Sequence, residues 1–120
     1  MEKKALVYTG KAKKLYQTEN AAVLFVEYLD QATALNGQKK DKVLGKGALN
    51  NQITSLIFEY LQQQKIPNHF IKKVSEHEQL IQAVEMIPLE VVVRNYAAGS
   101  FSKRLAIEEG TKLVTPIIEF

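Results

Sequence analysis

The chain has 120 residues, 46% of them hydrophobic and 24% charged, enough for one modest globular domain with its own core. It holds no cysteine, which excludes disulfides and thiolate metal sites and is compatible with a cytoplasmic setting. The net charge is only +3, no apolar run is long enough to span a membrane, and no signal-peptide pattern opens the chain, so no membrane partner is expected.

In chain order, Ala5 to Thr9 (ALVYT) reads as a first strand, Gly10 as its turn and Lys13 to Gln17 (KKLYQ) as the returning strand. The tip between them, TGKAKKLY, is glycine-bearing and ringed by Lys11, Lys13 and Lys14, with Lys11 and Lys13 on one face. Such a tip can lie over a nucleotide's phosphates, or it can be a solvated edge that discourages aggregation. It is not a Walker A loop, which needs a second glycine and a Lys-Ser/Thr pair. Ala21 to Tyr28 (AAVLFVEY) is a third strand, apolar through its middle.

Asp30 to Lys46 reads as a loop with Asn36-Gly37 as a turn signal. It carries Asp30, Thr33, Asn36, Gly37, Lys39 and Lys40, a set that could recognise a small polar substrate or simply be a solvated connection. A helix is expected from about Gly47 to Gln64, with Leu49, Ile53, Leu56, Ile57, Tyr60 and Leu61 as its buried face. Its start, GKGALNN, offers either an anion site at Lys46 or ordinary capping by Asn50 or Asn51.

His69 to Val74 is expected as a strand. Ser75 and Glu78 could form a capping box, but Pro88 leaves little room for a helix, so a hairpin into a strand over Glu78–Glu85 is preferred. The two histidines, His69 and His77, have no metal-ligand spacing.

PLEVVVRNYAAGS then places a buried strand, Val91-Val92-Val93, directly before Arg94. Glu90 and Arg94 share a face but stand roughly 13 Å apart along a strand, so each needs a partner from elsewhere. Ala97-Ala98-Gly99 removes bulk, and Ser100 is a good N-cap for a short helix through Leu105. An arginine fork beside a helix start is a cradle for an oxyanion, although serine also caps such junctions for stability alone. LVTPIIEF reads as a final strand; its apolar last residue suggests a neighbouring strand or domain after Phe120, and its edge invites pairing between chains, leaving a homo-oligomer open. The whole is α+β, mostly antiparallel strands around one long helix.

Three stretches, GKAKKLY, then ATALNGQKK followed by GKGALNN, then IPLEVVVRNYAAGSFSKRL, resemble the SAICAR synthetase family. The resemblance runs through the chain in order and covers the N-terminal half of the family's usual length. It implies a kinase small-lobe-like antiparallel sheet with the long helix over residues 1–85, binding ATP, and a linker with the start of a second α/β part, the substrate and catalytic lobe, over 86–120. It implies an ATP-dependent ligase of purine biosynthesis that joins L-aspartate to a carboxyaminoimidazole ribonucleotide, giving ADP and phosphate. By position, Gly10, Lys11, Ala12 and Lys13 fall to ATP's phosphates and Glu85, Met86 and Ile87 to its adenine. Arg94, Gly99 and Ser100 fall to the ribonucleotide's phosphate, and Asn36, Gly37 and Lys40 to the aspartate or imidazole end. Catalytic residues and the carboxylates for Mg²⁺ are expected beyond Phe120, so the chain by itself is expected to be inactive. The alternative is a non-catalytic fragment or a nucleotide- or RNA-binding module using the lysine clusters. No helix-turn-helix or RNA-binding signature is present, and the preferred reading has no nucleic-acid partner.

Overall fold

The computed structural model describes residues 1–34 and 39–120. The chain divides into two units, Met1–Glu85 and Met86–Phe120.

In the first unit, β1 (Leu6–Thr9), β2 (Lys13–Gln17), β3 (Val23–Tyr28), β6 (Phe70–Lys73) and β7 (Glu78–Gln82) form one antiparallel sheet in the order β1-β2-β3-β7-β6. The central strand β3 is the most apolar. Its alternate residues build two clusters, one on each face: Val23 and Phe25 with Leu80 and Tyr16, and Val26 and Tyr28 with Ile81, Leu15 and Leu24. The preferred hairpin over Ser75–Glu78 is present. Ser75 and Glu78 do bond each other, Oγ to Oε1 at 3.0 Å, but across a turn and not at a helix start.

The expected loop over Asp30–Lys46 contains a second small ladder instead. Here β4 (Gln31–Ala34) pairs with β5 (Lys39–Lys42), Thr33 opposite Lys40. The two strands, QATA and KKDK, contain no fully buried residue and no large apolar one, so no strong alternation marks them in the sequence.

Helix α1 (Lys46–Gln63) packs on the sheet face that carries Tyr28 and Gln79. The expected inner face is not the one that packs: Leu49, Ile53, Leu56, Ile57 and Tyr60 are all more than half exposed. The sheet instead receives Gly47, Asn51, Ser55, Phe58 and Gln62, which share the same helical spacing one face away. Gly47 is small enough to let the helix start touch Tyr28; a Cβ there would stand 2.6 Å from the Tyr28 carbonyl oxygen. Asn51, fully buried, donates from Nδ2 to the carbonyl oxygens of Ser75, Glu76 and Glu78 at 2.9, 3.0 and 3.2 Å, two protons shared among three acceptors. Ser55 Oγ donates to Gln79 Oε1 at 3.3 Å, and Gln62 Nε2 to the Phe70 carbonyl at 2.7 Å. Phe58 supplies the apolar part, stacked on Phe70 and edge-on to His69. Neither Asn50 nor Asn51 caps the helix. Gly45 is its N-cap, and Asp30 reaches across to accept the N–H groups of Gly47 and Gly45 at 2.8 and 3.2 Å.

The second unit holds β8 (Val92–Tyr96), α2 (Gly99–Leu105) and β9 (Lys112–Glu119), with β8 and β9 antiparallel. The valine run is not buried here: the strand begins only at Val92, and Val91 and Val93 are exposed. A ladder of two strands covers neither face fully, which a β-branched run cannot announce. Ala98, not Ser100, is the N-cap of α2. Gly99 enters the helix at φ 58°, and its N–H is taken by Glu109 Oε1 at 3.0 Å, so a carboxylate from after the helix does the work expected of Ser100.

Candidate functional site

In the first unit the hairpin tip is shaped by two main-chain bonds. Gly10 donates to the Lys13 carbonyl and Leu29 to that of Ala12, each at 2.8 Å. Among the described residues, the Lys11 and Ala12 N–H groups make no main-chain hydrogen bond. Lys13 stands opposite Tyr28 in the ladder, and Lys11 is exposed at the tip. The tip borders an open depression of about 540 Å³, lined in part by Gly10, Lys14, Asp30, Lys40 and Lys42. The structure thus brings Gly10 and Lys40 to one rim. Asn36 and Gly37 lie outside the described residues. Asp30, at the base, has its carboxyl held below the ordinary value, first by the Gly47 N–H and then by that of Gly45, with His77 Nε2 3.7 Å away adding a smaller pull. Glu85 ends the first unit, and Met86 and Ile87 open the second outside any helix or ladder, with exposed side chains.

The second unit gathers Arg94, Gly99 and Ser100 at the junction of β8 and α2. Arg94 is the better fixed. Its Nε donates to Glu119 Oε1 at 3.0 Å, its Nη1 to the Ala98 carbonyl at 3.3 Å, and its guanidinium lies 5.3 Å from the centre of the Phe101 ring. Glu119 is the partner from elsewhere that the sequence called for. It sits diagonally across the ladder, where Val92 faces Glu119 and Arg94 faces Ile117. Glu119 also accepts from Arg104 Nη2 with both oxygens at 3.0 Å, and its carboxyl is held below the ordinary value by Arg104 first and then Arg94. Sequence reasoning missed Glu119, Arg104 and Glu109. Arg104 follows Ser100 by one helical turn and could have been found from that spacing. The two glutamates depend on pairing that only the folded chain reveals. Chemically the cluster carries two guanidiniums and two carboxylates, Glu119 on the arginines and Glu109 on the Gly99 N–H, so its capacity for an oxyanion lies in the unspent guanidinium N–H groups and not in a net charge.

Among the described residues no group of three or more His, Asp or Glu side chains could hold a metal ion, and no helix is long and apolar enough to cross a membrane.

A family model described as SAICAR synthetase matches residues 6–120. Over all 120 residues the chain is 98% identical to the phosphoribosylaminoimidazole-succinocarboxamide synthase of Enterococcus faecalis and 62% identical to that of Lactococcus lactis subsp. cremoris, across 51% of each relative. It therefore spans about half the length of the curated relatives it matches. Among solved structures, the synthase of the same name from Ehrlichia chaffeensis matches with a TM-score of 0.91 at 41% identity, over 95% of this chain and 48% of that one. A SAICAR synthetase in complex with ADP gives 0.88, with the same identity and coverage.

Proposed function

The chain belongs to the SAICAR synthetase family, and on that premise we propose that it is the ATP- and ribonucleotide-binding portion of an ATP-dependent carbon–nitrogen ligase. The reaction joins the amino group of L-aspartate to the carboxylate of a carboxyaminoimidazole ribonucleotide. A carboxylate is a poor acylating agent. ATP's terminal phosphoryl group therefore passes to a carboxylate oxygen and ADP leaves; the aspartate amine then attacks the acyl carbon, loses a proton, and inorganic phosphate departs. Catalysis of this kind is chiefly positioning together with neutralisation of phosphoryl charge.

Residues 1–85 and the first residues of the linker carry ATP in this reading. Lys11 and Lys13, with the tip N–H groups between Gly10 and Ala12, serve the phosphates, while main-chain groups of Glu85, Met86 and Ile87 serve the adenine. The ADP complex of a structural neighbour supports a nucleotide here. Residues 86–120 open the substrate part, with Arg94, Gly99 and Ser100 on the ribonucleotide's phosphate. Asn36, Gly37 and Lys40, from residues 1–85, serve the aspartate or imidazole end. No group among the described residues fits Mg²⁺, so no step is assigned to it.

The observation that carries the reading is Arg94, a guanidinium fixed at two corners beside a glycine-serine helix start. The experiment is titration calorimetry of a full-length relative with Lys11→Ala/Lys13→Ala. ATP affinity is expected to fall far more than adenosine affinity, because adenosine has no phosphates to lose. Equal losses would remove the two lysines from the phosphate site.

A further inference from the structure

Arg94 is not held in the way a structural arginine usually is. Its Nε–H and one Nη1–H are spent, on Glu119 at 3.0 Å and on the Ala98 carbonyl at 3.3 Å, while among the described residues its Nη2 makes no hydrogen bond. The side chain is mostly buried, 18% accessible, with its guanidinium carbon over the Phe101 ring. Two of the three nitrogens are therefore fastened, and Nη2 between them is left open. Glu119 in turn is not free to serve Arg94 as it pleases, since Arg104 Nη2 engages both of its oxygens at 3.0 Å. Glu119 ends β9, Arg104 lies on α2 and Arg94 on β8, so one carboxylate ties all three elements at the point where the arginine emerges.

We infer that Glu119 is a positioning residue for the anion site: it locks Arg94 in a single rotamer with its Nη2 amino group presented to the ribonucleotide's phosphate, and Arg104 keeps the Glu119 carboxylate turned for that task. The inference rests on the assignment of Arg94 to that phosphate. Its physical basis is pre-organisation. An arginine has several rotatable torsions whose freedom is lost when it grips a ligand, and a side chain already fixed before binding loses less. The Glu119 carboxylate is shared between two guanidiniums, so by itself it does not cancel the attraction that Arg94 offers a dianion.

The test is steady-state kinetics of a full-length relative carrying Glu119→Gln, Arg94→Ala and both together. Glutamine keeps the shape and one acceptor but removes the charge that holds both arginines. Glu119→Gln is expected to raise KM for the ribonucleotide roughly tenfold, the size of one charge-assisted contact, with kcat and KM for ATP little changed. In the Arg94→Ala background the same change should add almost nothing, because its target is gone. Additive effects, or an equal fall in kcat and in affinity for both substrates, would make Glu119 a mere fastener of the two strands and overturn the inference. If Arg94→Ala itself leaves the ribonucleotide KM unchanged, the assignment of Arg94 fails, and the positioning role with it. If Arg94→Ala raises it and Glu119→Gln does not, only the positioning role fails. Should Glu119→Gln not fold, Arg104→Met, at a more exposed position, replaces it. A several-fold rise in the same KM that disappears without Arg94 supports the lock, and no rise sinks it.

Discussion

Asp30 caps a helix to which it does not belong: its Oδ1 accepts the N–H of Gly47 at 2.8 Å. The contact joins the end of β3 to the first turn of α1, and it is close because Gly47 has no side chain. The N-terminus of α1 carries no acidic residue of its own in the first turn, so Asp30 also supplies the negative charge that this end of a helix favours.

Gly47→Ala is expected to destabilise the chain, although alanine is the better helix former. The added Cβ would stand 2.6 Å from the Tyr28 carbonyl and 3.0 Å from Asp30 Oδ1. The first neighbour is main chain and cannot step aside, so a cost of about 1–3 kcal/mol from overpacking outweighs the helix-propensity gain of about 1 kcal/mol. Urea unfolding measures it. A midpoint at or above that of the unsubstituted chain would show that the helix start has room.

Acid should weaken the same cap. The Asp30 carboxyl is held below its ordinary value of 3.8, so its contribution to stability is complete above that pH and is lost as pH falls towards the depressed folded-state value. Asp30→Asn, which removes the titrating group, should lower the thermal midpoint at pH 7, and the gap between the two proteins should close as pH drops below about 4. A gap that stays constant from pH 7 to pH 3 would mean that the carboxylate's charge contributes nothing.

Along α1 the usual hierarchy of substitutions should invert. Asn51→Leu leaves the carbonyls of Ser75, Glu76 and Glu78 without the amide that serves them, at an expected cost of about 1–3 kcal/mol. Ile53→Ser, on the exposed face, should change stability by no more than about 0.5 kcal/mol. Denaturant midpoints of the two single variants decide the matter, and a larger loss at Ile53 would place the apolar stripe against the sheet after all.

Arg94→Lys should harm ribonucleotide binding in a full-length relative nearly as much as Arg94→Ala. Lysine keeps the charge but cannot hold Glu119 and the Ala98 carbonyl while offering a further, separately placed nitrogen to a phosphate. The expected signature is a raised KM for the ribonucleotide, with that for ATP changed less. Near-native kinetics of the lysine variant would move Arg94 from the substrate site into the scaffold.

The parts of the fold that the sequence announces are those where burial is one-sided and local. AAVLFVEY could only be a buried strand, and KKLYQ before it could only return along its edge. The Ser75–Glu78 turn is preferred over a helix start because Pro88 leaves little length for a helix. The ladder from Gln31 to Lys42 was illegible because KKDK is charged throughout and QATA offers only two alanines, so neither strand has a large apolar residue to bury. Helix α1 misled for a different reason. Its apolar stripe is real, but periodicity reports that a face is greasy and says nothing of which neighbour it meets; the sheet took the face with glycine, asparagine and serine, where close approach and hydrogen bonds were available. In the second unit Arg94 drew attention by being a charge beside three valines. Its partner Glu119 needed the β8–β9 register, a long-range fact with no local trace.

The polar seam between α1 and the sheet also decides what kind of movement the helix can make. An oily seam tolerates sliding, since one methyl group replaces another at little cost. Here a shift of one turn, about 5.4 Å, would carry the Asn51 amide away from the three carbonyls clustered at the hairpin end and strand them, while Gln62 would lose Phe70 in the same stroke. The seam thus works as an indexing pin: α1 can travel with its sheet as one piece, but it cannot ratchet along it.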